Sequence, residues 1–383
     1  MTASFSSLAP HRRAFALVAT FSLAGLGWAC ADDGGSGADE TSAVGTFDGL
    51  FDGVATGFNF PFDIAVVPDD PLTEDTIEGG DIFVANYGTS EIMRVANPSG
   101  DPSGAAAASF FDGTSLGLAG ATAVSAPNFE YLWTVFEQGG DGNGGGLVVL
   151  DEFGGVVADW DGADAPGAFA NPGGICFGGW DDAAATARFF MINLGDGTAW
   201  RIDVSALDGS DVTFTQVGAG LATGTLGNPG SPGNGINTNS DLPQGGARGC
   251  AYGFGALYVA DAQNARVVRF EDADVGENLS PIALEDTPPD LVTYPTDVTI
   301  NDDGFLIVIS YDNAKAFVTL ALPSGGFIDD GLQNLNVNAG NYGTAVAYGT
   351  IWFTRANNQN GTLRAITPEQ DIFPTTAGPF PAQ

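Results

Sequence analysis

Three apolar strands recur six times along the chain at a period near 50 residues, 56 glycines are scattered among them, and Asn, Asp and Gly turns break every apolar run. Together these predict an all-β fold, and within it a six-bladed β-propeller with four-stranded blades, the fourth strand being the variable one. The 44% hydrophobic fraction supplies a large core, so global disorder is excluded. A β-sandwich is the alternative all-β architecture, but it would not repeat one strand–turn–strand chemistry six times.

The repeats follow in chain order. FPFDIAVV with GGDIFVANYGTSEIMRV opens the series. Two weaker copies come next: GATAVSAPNFEYLWTVF with GGGLVVLDEFG, then NPGGICFGG with RFFMINLGDGTAWRIDV. GARGCAYG with FGALYVADAQNARVVRF is the fourth, YPTDVTINDDGFLIVISYDNAKAFVTL the fifth and NYGTAVAYGTIWFTRANNQNGTLRAI the sixth. Aligned first strands put Ile64, Val124, Ile175, Cys250, Val298 and Val346 in one phase, with gaps of 60, 51, 75, 48 and 48 residues. Arg94, Arg201, Arg269 and Arg364 form a second register in the third strands. The widest gap holds residues 217–246, rich in Gly, Asn, Pro and Ser, which predicts a surface loop.

The chain divides into residues 1–29, a signal peptide; 30–46, a flexible tether; and 47–383, the propeller. His11-Arg12-Arg13 ends a basic stretch, and Ala14 to Gly27 is apolar but short for a membrane span. L-G-W-A-C resembles a bacterial lipobox ending at Cys30, although Leu26 lies one place too far back and Trp28 is bulky. Cleavage after Ala31 is the rival reading. The polar string ADDGGSGADETSAVG suits a tether behind a lipid-bearing Cys30. The expected location is the cell envelope, at the outer membrane because Ala31 follows the cysteine.

Charge limits the partners. Removing the leader takes Arg12 and Arg13 and leaves 9 basic against 47 acidic residues, a charge of −38. Such a surface repels nucleic acid and anionic lipid, so no nucleic-acid partner is expected and membrane contact is through the lipid anchor only. The one histidine, His11, lies in the leader. The mature chain can hold no Ser-His-Asp triad, histidine base or imidazole metal ligand.

LYVADAQNARVVRF (257–270) resembles the core of an NHL repeat, and IFVANYGTSEIMRV (82–95) is a close variant. The resemblance implies a propeller and leaves the activity open. Propellers place ligands at the central channel. The residue just before the aligned phase is Asp63, Ala123, Gly174, Gly249, Asp297 and Ala345, with Arg248 one place further back. Asp63, Arg248 and Asp297 are therefore the channel candidates, and the two carboxylates could hold a hard cation such as Ca²⁺. Equally, each Asp could cap backbone amides or pair with Arg248. Gluconolactonase-type propellers hold a channel metal with Glu, Asn and Asp; here the Asn positions read Gly174 and Gly249. Two acidic strings offer further Ca²⁺ candidates, Asp159, Asp161 and Asp164 in DWDGAD and Asp272, Asp274 and Glu277 in DADVGE, though solvated turns explain them as well.

Cys176 and Cys250 differ by one residue in phase, so period-two alternation predicts opposite faces and two buried thiols. Trp133, Trp200 and Trp352 are expected to pack between blades. No catalytic set assembles. The sequence reads as a monomeric lipoprotein propeller, a scaffold for an unknown protein or small-molecule ligand. The alternative is a metal-dependent hydrolase of the gluconolactonase type using the channel carboxylates.

Overall fold

The computed structural model describes residues 47–68, 77, 79–96, 105–128, 130–140, 143–181, 184–224, 246–284, 294–301, 304–311, 317–321, 326–327, 340–347, 350–356 and 361–368. The leader, the tether with Cys30 and most of the 217–246 loop lie outside these residues.

Four sheets are four-stranded antiparallel meanders in chain order. They are β6 to β9 (Leu118–Ser125, Tyr131–Gly139, Gly146–Asp151, Val156–Asp161), β10 to β13 (Pro172–Asp181, Thr186–Asn193, Thr198–Val204, Thr213–Ala219), β14 to β17 (Cys250–Gly253, Ala256–Asp261, Arg266–Glu271, Ile282–Ala283) and β18 to β21 (Pro295–Ile300, Phe305–Ser310, Phe317–Ala321, Gly326–Phe327). The fifth sheet has eight strands. Half of it is the meander β2 to β5 (Pro61–Val66, Ile82–Asn86, Glu91–Val95, Ala105–Asp112). The other half is β22, β23 and β24 (Asn341–Ala347, Thr350–Arg355, Gly361–Pro368), finished on its outer edge by β1 (Phe47–Phe58). Only Ala55 against Ala105 and Thr56 against Ala106 join the halves, in parallel. The first strand thus completes the sheet begun by the last three.

Innermost strands contact one another in sequence, β2 to β6, β10, β14, β18 and β22, and β22 returns to β2. The core fills the spaces between neighbouring sheets. Ile64 packs with Trp352, Leu363 and Ala365; Val124 with Phe83 and Ala85; Ile175 with Trp133 and Val135; Cys250 with Phe190 and Ile192; Val298 with Tyr258 and Ala260. The predicted phase is therefore real for these five residues: each faces the preceding sheet.

That geometry corrects the reading of the cysteines. Cys176 and Cys250 are joined in a disulfide with Cα atoms 5.8 Å apart. Opposite phase separates two side chains within one sheet, but sheets stacked around an axis present opposite faces to each other. Ile175 faces backward, so Cys176 faces forward and meets the backward-facing Cys250. The arginine register is corrected in part. Arg94, Arg201 and Arg269 stand opposite Phe83, Phe190 and Tyr258 on forward faces. Arg364 also stands opposite an aromatic residue, Phe353, but Leu363 and Ala365 occupy the forward face and alternation turns Arg364 backward.

The NHL-like motif is a device that ties the incoming chain to the second strand. In LYVADAQNARVVRF the buried Asp261 accepts from Ala222 N at 2.8 Å, Asn264 Nδ2 at 2.9 Å and Arg266 Nε at 2.7 Å. Asn86 accepts from Asn59 N at 2.7 Å, and Asn193 accepts from Ala170 N at 3.3 Å. Ser90, Gly197 and Ala265, each just before the third strand, take left-handed backbone at φ 63, 67 and 51. The tight turn favours Gly, Asn or a small residue there. As expected, the tryptophans pack: Trp133 stacks on Phe189 at 4.0 Å, and Trp352 is buried.

Candidate functional site

Five innermost strands carry a bulge at the same place, between Pro61 and Asp63, Ala121 and Ala123, Pro172 and Gly174, Pro295 and Asp297, and Asn341 and Thr344. In the remaining one, Arg248 N and Gly249 O both bond Ala260, so the same place is Arg248. A bulge re-aims the side chain it carries. The bulged residues are Phe62, Thr122, Gly173, Arg248, Thr296 and, in β22, Tyr342.

The channel candidates Asp63 and Asp297 are the residues just after the bulge in their strands. Asp63 Oδ1 accepts from Ile64 N at 2.8 Å, and Oδ2 accepts from Val124 N of the next sheet at 3.0 Å. Asp297 repeats this, with Oδ1 accepting from Val298 N at 2.8 Å and Oδ2 from Thr344 N at 2.6 Å. Thr344 is thus the counterpart of Val124, and the aligned positions in the last repeat are Thr344 and Gly343, two residues before Val346 and Ala345. The bulge in β22 has the same one-residue excess as the others, so the phase read from the sequence simply sits two residues too late in the last repeat.

Burial pushes the Asp63 carboxyl up to about 7, against the pull of its two amide donors. Burial and the charge of Asp63 hold Asp297 well above the usual carboxylate range, again against two amides. Asp63 keeps some exposure while Asp297 is buried. Gly249 and Gly343 make room: a Cβ at 249 would strike Asp297 Oδ1, and one at 343 would lie 2.5 Å from Asp63 Cα.

Every oxygen of this carboxylate pair already accepts an amide proton. Among the described residues, no three His, Cys, Asp or Glu side chains gather as metal ligands. Asp161 Oδ1 instead accepts from Ala163 N at 2.8 Å, and Asp164 Oδ2 from Asp161 N at 3.3 Å; Asp159 is exposed. In the second string Asp272 and Glu277 are exposed and Asp274 is half-buried. The carbonyls of Ala273 and Gly276 there face Arg201 Nη1 at 3.3 and 3.5 Å, so a guanidinium occupies the acceptors a cation would use.

Arg248 does not pair with these acids. Its side chain reaches from just before β14 to residues of β2 and β22. Its guanidinium carbon lies 5.5 Å from the Phe62 ring centroid and 5.3 Å from that of Tyr342. The rings form an arc: Tyr87 to Phe62 at 4.7 Å, Phe62 to Tyr342 at 4.7 Å, Tyr342 to Tyr311 at 5.6 Å and Tyr311 to Tyr294 at 6.3 Å. Arg248 is 5% exposed, and none of its three guanidinium nitrogens makes a hydrogen bond of regular geometry with the described residues. Burial raises the hydroxyl pKa of Tyr87, Tyr294, Tyr311 and Tyr342, and in each the charge of Arg248 works against that rise. Tyr87 donates to the buried Glu137 at 2.6 Å.

The sequence pointed to Asp63, Arg248 and Asp297 but not to the aromatic arc. Reading the bulge position across all repeats would have exposed Phe62. Tyr342 stayed hidden behind the misplaced register of β22.

No family profile matches the chain, and no curated protein does. Solved structures do. The PQQ-bound aldose sugar dehydrogenase of Streptomyces coelicolor aligns with a TM-score of 0.50 at 12% identity, over 84% of this chain and 98% of that one. A structural genomics protein of unknown function from Bacteroides thetaiotaomicron aligns with a TM-score of 0.53 at 12% identity, over 86% and 74%. The fold is that of a β-propeller. Identity this low carries the fold alone.

Proposed function

We propose that the chain is a scaffold that binds a protein or small-molecule ligand: an exported propeller of six four-stranded blades, lipidated at Cys30 and held at the cell envelope. The closed cycle of innermost strands and the thin parallel junction dividing the eight-stranded sheet support the reading of six blades. The observation that carries the binding reading is the use made of the axial carboxylates. All four oxygens of Asp63 and Asp297 are tied to backbone amides, two of them across sheet boundaries. They work as staples, and among the described residues no open acid set of the gluconolactonase type is assembled. The outer membrane is the proposed destination, because Ala31 follows the lipidated cysteine.

The test is turnover of a lactone panel by the full chain, with and without added Ca²⁺, beside Asp297→Ala. The binding reading expects no hydrolysis above the variant. Metal-dependent turnover lost in Asp297→Ala would overturn it.

A further inference from the structure

A buried guanidinium that meets the hydroxyls of Tyr294 and Tyr342 but makes, among the described residues, no hydrogen bond of regular geometry and no ion pair with a carboxylate needs a reason, because burying a charge is costly. Contact with two aromatic faces returns only part of that cost. The balance is unfavourable, so stability does not explain Arg248. The ion pairs of the described residues leave it out, while Arg94, Arg188, Arg201, Arg266 and Arg269 all have carboxylate partners. The Tyr342 hydroxyl beside it interacts with the guanidinium and likewise makes no hydrogen bond of regular geometry with the described residues. A guanidinium and a hydroxyl, both lacking a well-formed acceptor among the described residues, therefore converge inside one wall of rings.

We propose that Arg248, caged by Phe62, Tyr87, Tyr294, Tyr311 and Tyr342, anchors a binding subsite for the carboxylate of a small organic acid. This rests on the ligand-binding reading and names its ligand class. A guanidinium presents a planar fork of N–H donors that fits a carboxylate through two parallel bonds. One fixed positive charge in a desolvated site matches a monoanion. A phosphate dianion would leave a negative excess near Asp63 and the buried Glu137. The Tyr342 hydroxyl is a third donor, and Phe62 with the tyrosine faces offers apolar wall for the body of the acid.

Isothermal titration of the full chain at fixed ionic strength tests this with benzoate and acetate as carboxylates, and inorganic phosphate and chloride as comparison anions. Benzoate should bind saturably and more tightly than acetate, with no binding of phosphate or chloride. Arg248→Met should abolish binding with a melting temperature equal to or above that of the parent chain, since an unpaired buried charge is removed. Arg248→Lys should weaken binding about tenfold through loss of the fork. Tyr342→Phe keeps the ring and should weaken it roughly fivefold.

Absence of carboxylate binding, equal binding to Arg248→Met, or tighter binding of phosphate would each overturn the proposal. If Arg248→Met does not fold, Tyr342→Phe decides, and unchanged benzoate affinity there overturns it. Lactone turnover would sink the scaffold reading whatever benzoate does. A partner protein still captured by Arg248→Met would leave that reading standing without this subsite.

Discussion

Reducing the Cys176–Cys250 bridge, or replacing both residues with alanine, should lower the stability of the propeller substantially. The two cysteines are 74 residues apart. Closing a loop of that length removes about 15 cal/mol/K of unfolded-chain entropy, or roughly 4.5 kcal/mol at 25 °C, and measured losses usually fall near 2–4 kcal/mol. The loop spans the three outer strands of the β10 sheet and the crossing to β14, so the bridge holds two neighbouring sheets together at their innermost strands. Both cysteines are 8% exposed, and two thiols would still fill most of the space, so packing loss adds little. A domain of roughly 300 residues has an unfolding entropy near 0.6 kcal/mol/K, which converts 3–4 kcal/mol into a fall in Tm of about 5–7 °C. The assay is a melting curve with and without reductant for the parent chain and the double alanine variant. Alkylation of the unreduced, denatured chain counts free thiols. Two reactive thiols at 176 and 250, with a Tm indifferent to reductant, would refute the stacked-face reasoning that brings them together.

Gly249→Ala should cost about 3 kcal/mol or more, because the new methyl meets Asp297 Oδ1 at a position where strands and carboxylate are both fixed; denaturant titration against Gly255→Ala, an exposed left-handed glycine with open space, separates this steric cost from ordinary backbone strain. Stability should also fall as pH rises from about 4 toward 7. The folded state holds a proton on the Asp63–Asp297 pair that the unfolded chain has released, so the contribution is complete below the unfolded pKa and is lost as pH rises through the raised folded values, that of Asp63 being about 7. The slope is about 1.4 kcal/mol per unit per proton; Asp297→Asn, compared at pH 5 and 7.5 in one salt concentration, should flatten it, and an unchanged slope would place the linkage elsewhere. Cys30→Ser should block precursor processing and release the chain from the membrane fraction, whereas ordinary cleavage after Ala31 would leave fractionation unchanged.

Strand positions and their phase were readable because they depend on alternation and turn residues, which are local. Ile64, Val124, Ile175, Cys250 and Val298 fell on one face because the period of two leaves no other choice. What depended on neighbouring sheets was not readable. Nothing in FDGLFDGVATGF says that β1 will complete the sheet of β22 to β24. The disulfide was lost by applying the rule for one sheet to two. At the site, Asp63, Arg248 and Asp297 could be picked out by register alone. Their division of labour could not, because it depends on which oxygens find amide donors across a boundary. Asp63 and Asp297 became staples, and Arg248 was left without a carboxylate partner among the described residues, amid rings contributed by five strands or the turns beside them.

The staple role of the axial carboxylates is tested most directly by metal content. The full chain would be dialysed against Ca²⁺, Zn²⁺ or Mg²⁺, passed through a desalting column and analysed by mass spectrometry for bound metal, beside Asp63→Ala and Asp297→Ala. With all four oxygens occupied by amides, bound metal should stay far below one ion per chain and should be the same in the variants, while both variants melt lower for want of the inter-sheet bonds. One ion per chain in the parent, lost in either variant, would contradict the staple role and return the axis to metal chemistry.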